Sequence, residues 1–164
     1  MRYAIRALRQ CNTAITWIVK VVVMVISSAM VATICWQVAM RYVFNLPPSW
    51  TEELALLLFS WAMLLMLALG VREAFHVRVD ILIERVPAVL RQVIEVFTCT
   101  ATLAFGLFLA SSGVDYVEEM RGSISAAIGY PIELLYSAAP VCGGLIALYS
   151  LERLLSSFDS GGRS

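Results

Sequence analysis

The chain has 164 residues, of which 60% are apolar and 15% are charged, and its mean hydropathy is +0.82. Soluble domains normally carry about 25% charged and about 45 to 50% apolar residues. Twelve basic and twelve acidic residues give a net charge of zero, which excludes the basic surface that nucleic-acid binding needs. The composition predicts an integral membrane protein with no nucleic-acid partner.

Four uncharged stretches are long enough to cross a hydrocarbon core, which takes about 20 helical residues. They lie between charged residues at 21–40, 54–71, 96–114 and 134–151. None of them shows the alternating polarity of outer-membrane strands. We therefore predict an all-α integral membrane fold in a single domain, 1–164, in which Pro140 kinks the fourth helix. The four transmembrane helices are predicted at about 17–44, 52–72, 88–118 and 132–153.

Lys and Arg residues are distributed unequally between the connections. Ten of the twelve lie in the N-terminal arm, the second connection and the C-terminal tail, whereas Arg41 and Arg121 lie in the other two connections. Because basic residues resist translocation, both termini should be cytoplasmic. Segments 41–53 and 115–133 should then face outward.

The first connection starts at Arg41 and contains two prolines that end the first helix. Ser49 and Glu52 have the spacing of a capping box, and Glu52 and Glu53 complement the dipole of the second helix. Arg41 can reach these carboxylates from the end of the first helix. Two interpretations stay open: a well-capped hairpin with interfacial aromatic residues, or a docking surface for another protein, which would explain two adjacent acids beside Trp50.

The second connection, 72–95, mixes apolar and polar residues. Asp80 can cap a short helix, and Pro87 suits the first turn of the next one. We predict a short amphipathic interfacial helix at about 80–86 that lies on the membrane and bends near Pro87 into the third transmembrane helix. At the end of the chain, the Ser- and Gly-containing residues 156–164 predict a frayed tail.

No residues support an enzymatic interpretation. The single histidine, His76, has Glu73 and Asp80 at helical spacing, but a helical metal site requires further carboxylates from other helices. The common catalytic motifs are absent. We predict no enzyme and no catalytic, metal, cofactor or substrate site, because the spans also lack the ionisable residues that proton-driven transporters use.

A series of motifs is dense between Arg41 and Pro87. They are Arg41-Tyr42-Val43-Phe44-Asn45, Trp50-x-Glu52-Glu53-Leu54, Leu58-Phe59-x-Trp61 and Leu69-Gly70-x-Arg72-x-x-x-His76-x-Arg78-Val79-Asp80. Gly129-Tyr130-Pro131, Tyr136 and Pro140 add a thinner match near the end of the chain. Together these motifs resemble the small membrane subunit (DctQ/SiaQ-like) of tripartite ATP-independent periplasmic (TRAP) transporters.

The resemblance implies a transporter with three parts: this subunit, a large TRAP permease subunit and a periplasmic substrate-binding protein. It implies sodium-driven uptake of organic acids in the bacterial inner membrane, among lipids, with no cofactor on this chain and sodium bound by the large subunit. The small subunit would be a stationary scaffold packed on the large, elevator-type subunit. The residues expected to form its structural and docking cluster are Arg41, Trp50, Glu52, Glu53, Asp115, Glu118, Glu119 and Arg121.

Two other functions stay open from the sequence. One is a self-sufficient small four-helix transporter acting as a dimer, which would need an acidic residue in the centre of a helix. The other is a structural membrane adaptor that organises partners without transport, whose outer loops would more often be long and disulfide-bonded. Neither feature is present in this sequence.

Overall fold

The structure is a computed structural model that describes the backbone of residues 2–46, 48–83 and 88–160, and the side chains of residues 12–46, 48–73, 93–94 and 96–154. Within the described backbone the helices are α1 (Arg2–Val43), α2 (Trp50–Ile83), α3 (Ala88–Glu119), α4 (Glu133–Tyr136) and α5 (Ala138–Ser160). In the same part of the chain, β-type pairing is confined to an antiparallel bridge between Ile124 and Pro131. The predicted all-α fold is confirmed.

Four segments of these helices are long and apolar enough to cross a membrane. They are Asn12–Val43 with 32 residues, Trp50–Glu73 with 24, Val96–Glu119 with 24 and Glu133–Leu154 with 22. Large apolar side chains on all four segments are exposed, as expected for helices that face lipid. The prediction of four transmembrane helices is confirmed, and the chain is a multi-pass membrane protein.

The helix α2 is longer than the predicted second span. It continues past Arg72 to Ile83, because no proline or glycine in this stretch ends it. The backbone of Asp80 therefore lies inside α2 and not at the start of a new helix. The rest of the predicted interfacial helix, 84–87, lies outside the described residues, as does the side chain of His76, so that separate helix stays a prediction.

The C-terminal helix also extends beyond its predicted end. The predicted fourth span ends near 153, but α5 runs to Ser160 and includes the first part of the predicted frayed tail. Residues 161–164 lie outside the described residues.

The fourth span is interrupted at Ser137, between α4 and α5. Pro140 has no N–H to donate to the carbonyl oxygen of Tyr136, and its ring crowds that carbonyl. Hydrogen bonds from the Ser137 N–H to the Glu133 carbonyl (2.9 Å) and from the Val141 N–H to the Ser137 carbonyl (3.3 Å) continue the helical path on either side. The disturbance near Pro140 is thus a local irregularity at Ser137, whose backbone keeps helical dihedral angles (φ −61°, ψ −16°).

The helices pack around α5, which contacts α1, α2 and α3, while α1 also packs along α2. The contact between α3 and α5 depends on glycine. A Cβ atom added to Gly143 would lie 2.5 Å from the backbone nitrogen of Ala110 and 2.7 Å from the carbonyl oxygen of Gly106. A Cβ atom on Gly113 would lie 2.7 Å from Cδ of Pro140. Small residues of this kind let transmembrane helix backbones approach closely.

Two small apolar clusters fill the space between the helices. Val19 and Val23 of α1 pack with Leu65 and Leu69 of α2. The second cluster joins α2 to α5 and consists of Ala68, Cys142, Ile146 and Tyr149. These clusters fix the relative positions of α1, α2 and α5, and thereby of the polar groups at both ends of the helices.

Candidate functional site

The connection between α1 and α2 and the α3–α4 loop (residues 120–132) lie at the same end of the helices, which we call the loop end. They meet at Glu53, in the first turn of α2, whose Oε2 accepts a hydrogen bond of 2.7 Å from the hydroxyl of Ser125. The segments 41–53 and 115–133, which were predicted to face one side, therefore lie together. The side of the membrane that they face stays a prediction.

The connection between α1 and α2 is held by backbone hydrogen bonds. Asn45 has a φ of 50°, a left-handed conformation that asparagine tolerates better than most residues. The Leu46 N–H donates to the carbonyl of Met40 over 3.2 Å. At the start of α2, the buried Thr51 donates to the carbonyl of Pro48 from its N–H (3.3 Å) and from its hydroxyl (2.6 Å). These bonds fix the direction in which the first acidic residues of α2 project.

The carboxylate of Glu52 points back to α1. Its Oε1 accepts from Nε2 of Gln37 at 3.0 Å and from the guanidinium of Arg41 at 3.4 Å. The expected contact between Arg41 and Glu52 is present, but their side chains are 53% and 64% exposed, and an exposed ion pair contributes about 0 to 1 kcal/mol. Among the described residues Glu52 makes these bonds and not the predicted capping-box bond to Ser49. Trp50 is exposed beside this pair.

The neighbouring Glu53 has a different environment. Its Oε2 accepts from the Ser125 hydroxyl and from the Ile128 N–H (3.0 Å), and its Oε1 accepts from the Ala127 N–H (2.9 Å). Charge-assisted hydrogen bonds of this kind are about twice as strong as neutral ones. Glu53 therefore holds the α3–α4 loop and is not part of the Arg41–Glu52 pair.

The α3–α4 loop is compact around Ser125. The Ser125 N–H donates to the carbonyl of Tyr130 (2.9 Å), and the Ser125 hydroxyl accepts from the Gly129 N–H (3.0 Å) while donating to Glu53. Gly129 has a φ of 77°, which residues with a Cβ rarely adopt. Burial, the negative charge of Glu53 and the neighbouring Tyr136 raise the pKa of the Tyr130 phenol above its ordinary value.

Aromatic residues join the helices that flank the α3–α4 loop. Nε1 of Trp61 in α2 donates to the carbonyl of Leu134 in α4 over 3.0 Å. The rings of Tyr116 in α3 and Tyr136 in α4 meet edge to face, with centroids 4.6 Å apart and planes at 87°. Thus α2 binds the loop itself through Glu53 and the helix that follows the loop, α4, through Trp61.

The remaining predicted docking residues lie at the end of α3 and just after it. Asp115, Glu118, Glu119 and Arg121 are all exposed. A guanidinium nitrogen of Arg121 lies 4.0 Å from a carboxylate oxygen of Glu118, one turn away along the chain. Among the described side chains, no ion pair or hydrogen bond joins these residues to the acidic residues of α2. Of the eight predicted residues, four therefore form two separate ion pairs and Glu53 holds a loop, while Trp50, Asp115 and Glu119 are exposed.

A second polar cluster lies at the opposite end of the helices, and the sequence analysis missed it. Asn12 and Thr16 are buried one turn apart on α1. The guanidinium of Arg72 in α2 donates to the Asn12 carbonyl and to the Thr16 hydroxyl, and it lies over the ring of Tyr149 in α5, 5.1 Å from the centroid. Nδ2 of Asn12 donates to Glu152 over 2.6 Å. This cluster ties α1, α2 and α5 together.

One sequence signal could have indicated this second cluster. Asn12 and Thr16 stand at i and i+4, so they share one face of a helix whose residues after 13 are mostly apolar. An ion pair between Lys20 and Glu73 lies close by on the same two helices. The basic residues of the N-terminal arm indicated only the orientation of the chain, so the packing of residues 12–16 against α2 was not predicted.

Both clusters join helices to each other. Within the described residues, no group of three or more His, Cys, Asp or Glu side chains could hold a metal ion. The polar groups of the loop end hold a loop and a hairpin, and those of the opposite end hold three helices. The chemistry of both clusters is that of structural attachment.

Comparisons of the sequence with known proteins find similarity to transport components. The family model described as tripartite ATP-independent periplasmic transporters, DctQ component, matches residues 30–160. A C4-dicarboxylate TRAP transporter small permease protein from Vibrio cholerae is 35% identical over 79 residues, which are 48% of this chain and 34% of that protein. A protein of the same name from Rhodobacter capsulatus is 31% identical over 105 residues, 63% of this chain and 46% of that protein.

A longer relative is also similar. The sialic acid TRAP transporter permease protein SiaT of Haemophilus influenzae is 26% identical over 125 residues, which are 76% of this chain but only 20% of that protein. The chain thus spans less than half the length of these three curated relatives.

Proposed function

The chain belongs to the DctQ component of the tripartite ATP-independent periplasmic transporters, and we propose that it serves its transporter as a fixed scaffold for a larger permease subunit. Members of this family are transport components and not enzymes. The chain is accordingly a small permease subunit of a TRAP transporter. The scaffold role, the energy source and the docking partner are our proposals.

The observation that carries the scaffold proposal is the attachment of the helices at both ends and along their length. At the loop end, Glu53 joins α2 to the α3–α4 loop. At the opposite end, Arg72 joins α1, α2 and α5. Between the ends, Gly143 brings α5 into backbone contact with α3. Helices attached in this way move as one body, which suits a stationary reference for a moving neighbour.

A larger permease is the partner that the comparisons favour. In SiaT the segment similar to this chain makes up a fifth of a single permease. We infer that the remaining four fifths of such a permease correspond to a separate large subunit here. The exposed apolar side chains of the four spans offer the membrane-embedded surface that such a subunit and the surrounding lipid would cover.

Substrate and sodium would be bound by the large subunit. The uncharged stretches 21–40, 54–71, 96–114 and 134–151 contain no Asp, Glu, Lys or Arg, and intramembrane ionisable residues usually mark ion and substrate pathways. The relatives carry names for different substrates, C4-dicarboxylates and sialic acid, although all resemble this chain. We infer organic-acid uptake driven by sodium, with the specificity determined outside this subunit and no cofactor on it.

The loop end would face the periplasm and contribute to docking of the substrate-binding protein. This orientation follows from the distribution of Lys and Arg, with both termini in the cytoplasm and the chain in the inner membrane. The exposed Trp50, the Arg41–Glu52 pair and the acidic residues after Asp115 form the surface available there. Reversing the charge of Glu52 is expected to weaken uptake without preventing insertion.

The test is affinity purification of the tagged chain from its native membrane in mild detergent, with quantitative mass spectrometry of the proteins that co-purify. We expect a large polytopic permease at about a one-to-one ratio. A variant that opens the α3–α5 contact, G143L, should lose this partner, whereas G144L should keep it, because nothing lies within 4 Å of a Cβ atom added to Gly144. Recovery of the unchanged chain as a homodimer alone would contradict the proposal and favour a self-sufficient transporter.

A further inference from the structure

Both oxygens of the Glu53 carboxylate accept hydrogen bonds from within the chain. Each of its oxygens accepts a hydrogen bond from the loop, and the donors are the Ser125 hydroxyl and the backbone N–H groups of Ala127 and Ile128. A carboxylate whose oxygens are occupied in this way is poorly placed to bind a cation on another molecule. The role of Glu53 must therefore lie in what it does to the loop.

These bonds give the apex of the α3–α4 loop, residues 125–129, a defined shape. Connecting loops are normally more mobile than the helices that they join. Here three donors within four residues converge on one carboxylate that projects from the first turn of a long helix. The Ser125 hydroxyl also binds the Gly129 N–H, which closes the turn from the other side. The apex is consequently held in place by Glu53 of α2 together with hydrogen bonds inside the loop.

The same loop exposes apolar side chains that the fold does not use. Ile124 is 71% exposed and Ile128 is 43% exposed, and both lie beyond the end of α3. Apolar residues on an ordered element contribute to binding with a reduced entropic penalty, because the element is already in its bound shape. The centre of a protein interface is typically apolar and surrounded by a polar rim.

The charges around the apex indicate the chemistry of its partner. Arg41 and Arg121 pair with Glu52 and Glu118, but Asp115, Glu119 and Glu133 also flank the loop in the chain, so acidic residues outnumber basic ones around it. An acidic surrounding repels the anionic headgroups of a bilayer and attracts basic side chains of a protein. The surface fits a soluble protein with an apolar depression rimmed by Lys or Arg.

We propose that Glu53 is a positioning residue that holds the apex of the α3–α4 loop in a preformed shape, and that this apex is the contact surface for a soluble protein with a basic rim. The inference rests on the proposed docking of a substrate-binding protein at the loop end. It assigns the docking contact to the loop apex and not to the Glu53 carboxylate. Ile128 belongs to this surface, because its backbone is bound by Glu53 while its side chain is exposed.

The first experiment measures the positioning alone. Amide hydrogen exchange of residues 125–129 is followed by mass spectrometry in the full chain in lipid nanodiscs, for the unchanged protein, E53D and E53Q. The aspartate keeps the charge but is one methylene shorter, so it draws the carboxylate away from the loop. We expect the exchange of the Ala127 and Ile128 amides to increase about tenfold or more in E53D. The control is E73D, the same substitution near the other end of the span, which should leave this exchange unchanged.

Unchanged exchange in both E53D and E53Q would overturn the positioning role. An equal increase in E73D would overturn it as well, because the effect would then be a general loosening of α2. This experiment needs no partner, so its outcome is independent of the proposed docking.

The second experiment identifies what the apex contacts. A photo-crosslinking amino acid replaces Ala126 in cells that produce the whole transporter, and the adducts are identified by mass spectrometry. We expect an adduct with a soluble substrate-binding protein, whose yield falls about fivefold in E53D and in I128K and stays unchanged in E73D. Adducts with lipid only, no adduct, or an adduct insensitive to E53D would each overturn the proposal. Co-purification of the large permease in the same samples shows separately whether the scaffold proposal holds.

Discussion

The close contact between α3 and α5 gives the sharpest prediction about stability, at Gly143. In G143A, the added Cβ atom would stand 2.5 Å from the backbone nitrogen of Ala110 and 2.9 Å from its Cα atom. Ordinary contacts of this kind lie at 3.4 to 4 Å, so the two helix backbones must separate by about 0.9 Å. All of the nearest atoms belong to backbone, which cannot move aside as a flexible side chain would.

The expected magnitude follows from this separation. Adding a methyl group to a well-packed interior typically destabilises by about 1 to 3 kcal/mol. Moving α3 away from α5 also weakens the contacts of Gly106 and Gly113 along the same helix pair. We therefore expect G143A to lie at the upper end of that range, about 3 kcal/mol.

The neighbouring glycine provides a matched control. Nothing lies within 4 Å of a Cβ atom added to Gly144, and alanine favours a helix over glycine by about 0.5 to 1 kcal/mol. G144A should therefore be as stable as the unchanged chain or slightly more stable. The assay is the temperature at which half of the detergent-solubilised protein is lost from the monodisperse peak in size-exclusion chromatography. Equal midpoints for G143A and G144A would refute the close-packing argument.

Three further predictions concern the polar attachments. R72K should lower the free energy of unfolding by about 1 to 3 kcal/mol, because a lysine cannot donate to α1 from two nitrogens and cover the Tyr149 ring as well. Chemical denaturation in detergent measures this loss, and equal stability would contradict the assigned contacts. W61F removes the bond to the Leu134 carbonyl and should cost about 0.5 to 1.5 kcal/mol, with faster proteolysis of the α3–α4 loop as the readout. E52Q should change stability by at most about 1 kcal/mol in the same denaturation assay, because its ion pair is exposed.

The four spans could be predicted from the sequence because the length of an uncharged apolar stretch is a local property. The Arg41–Glu52 contact could be predicted for a similar reason, since a short hairpin brings the end of one helix to the start of the next. The roles of Glu52 and Glu53 could not be separated, because the sequence shows only two adjacent acids. In a helix they point about 100° apart, so one faces α1 and the other faces the loop.

The remaining contacts depend on how distant helices pack. Glu53 and Ser125 are 72 positions apart in the chain, and Asn12 and Glu152 are 140 positions apart. Residue spacing carries no information about such pairs. The continuation of α2 through Asp80 shows a limit of local patterns as well. Aspartate is a residue type that can begin a helix, but the residues around Asp80 favour one uninterrupted helix.

The unequal lengths of the four spans have a consequence for the surrounding bilayer. At 1.5 Å per residue, the 32 residues of Asn12–Val43 extend over about 48 Å, whereas the 22 residues of Glu133–Leu154 extend over about 33 Å. A hydrocarbon layer of about 30 Å matches the uncharged stretches inside these segments, 21–40 and 134–151, which have 20 and 18 residues. The additional length of Asn12–Val43 therefore lies outside the hydrocarbon layer, mainly at the end that carries Asn12, Thr16 and Lys20, and reconstitution in lipids of increasing acyl length should reveal a stability maximum near that thickness.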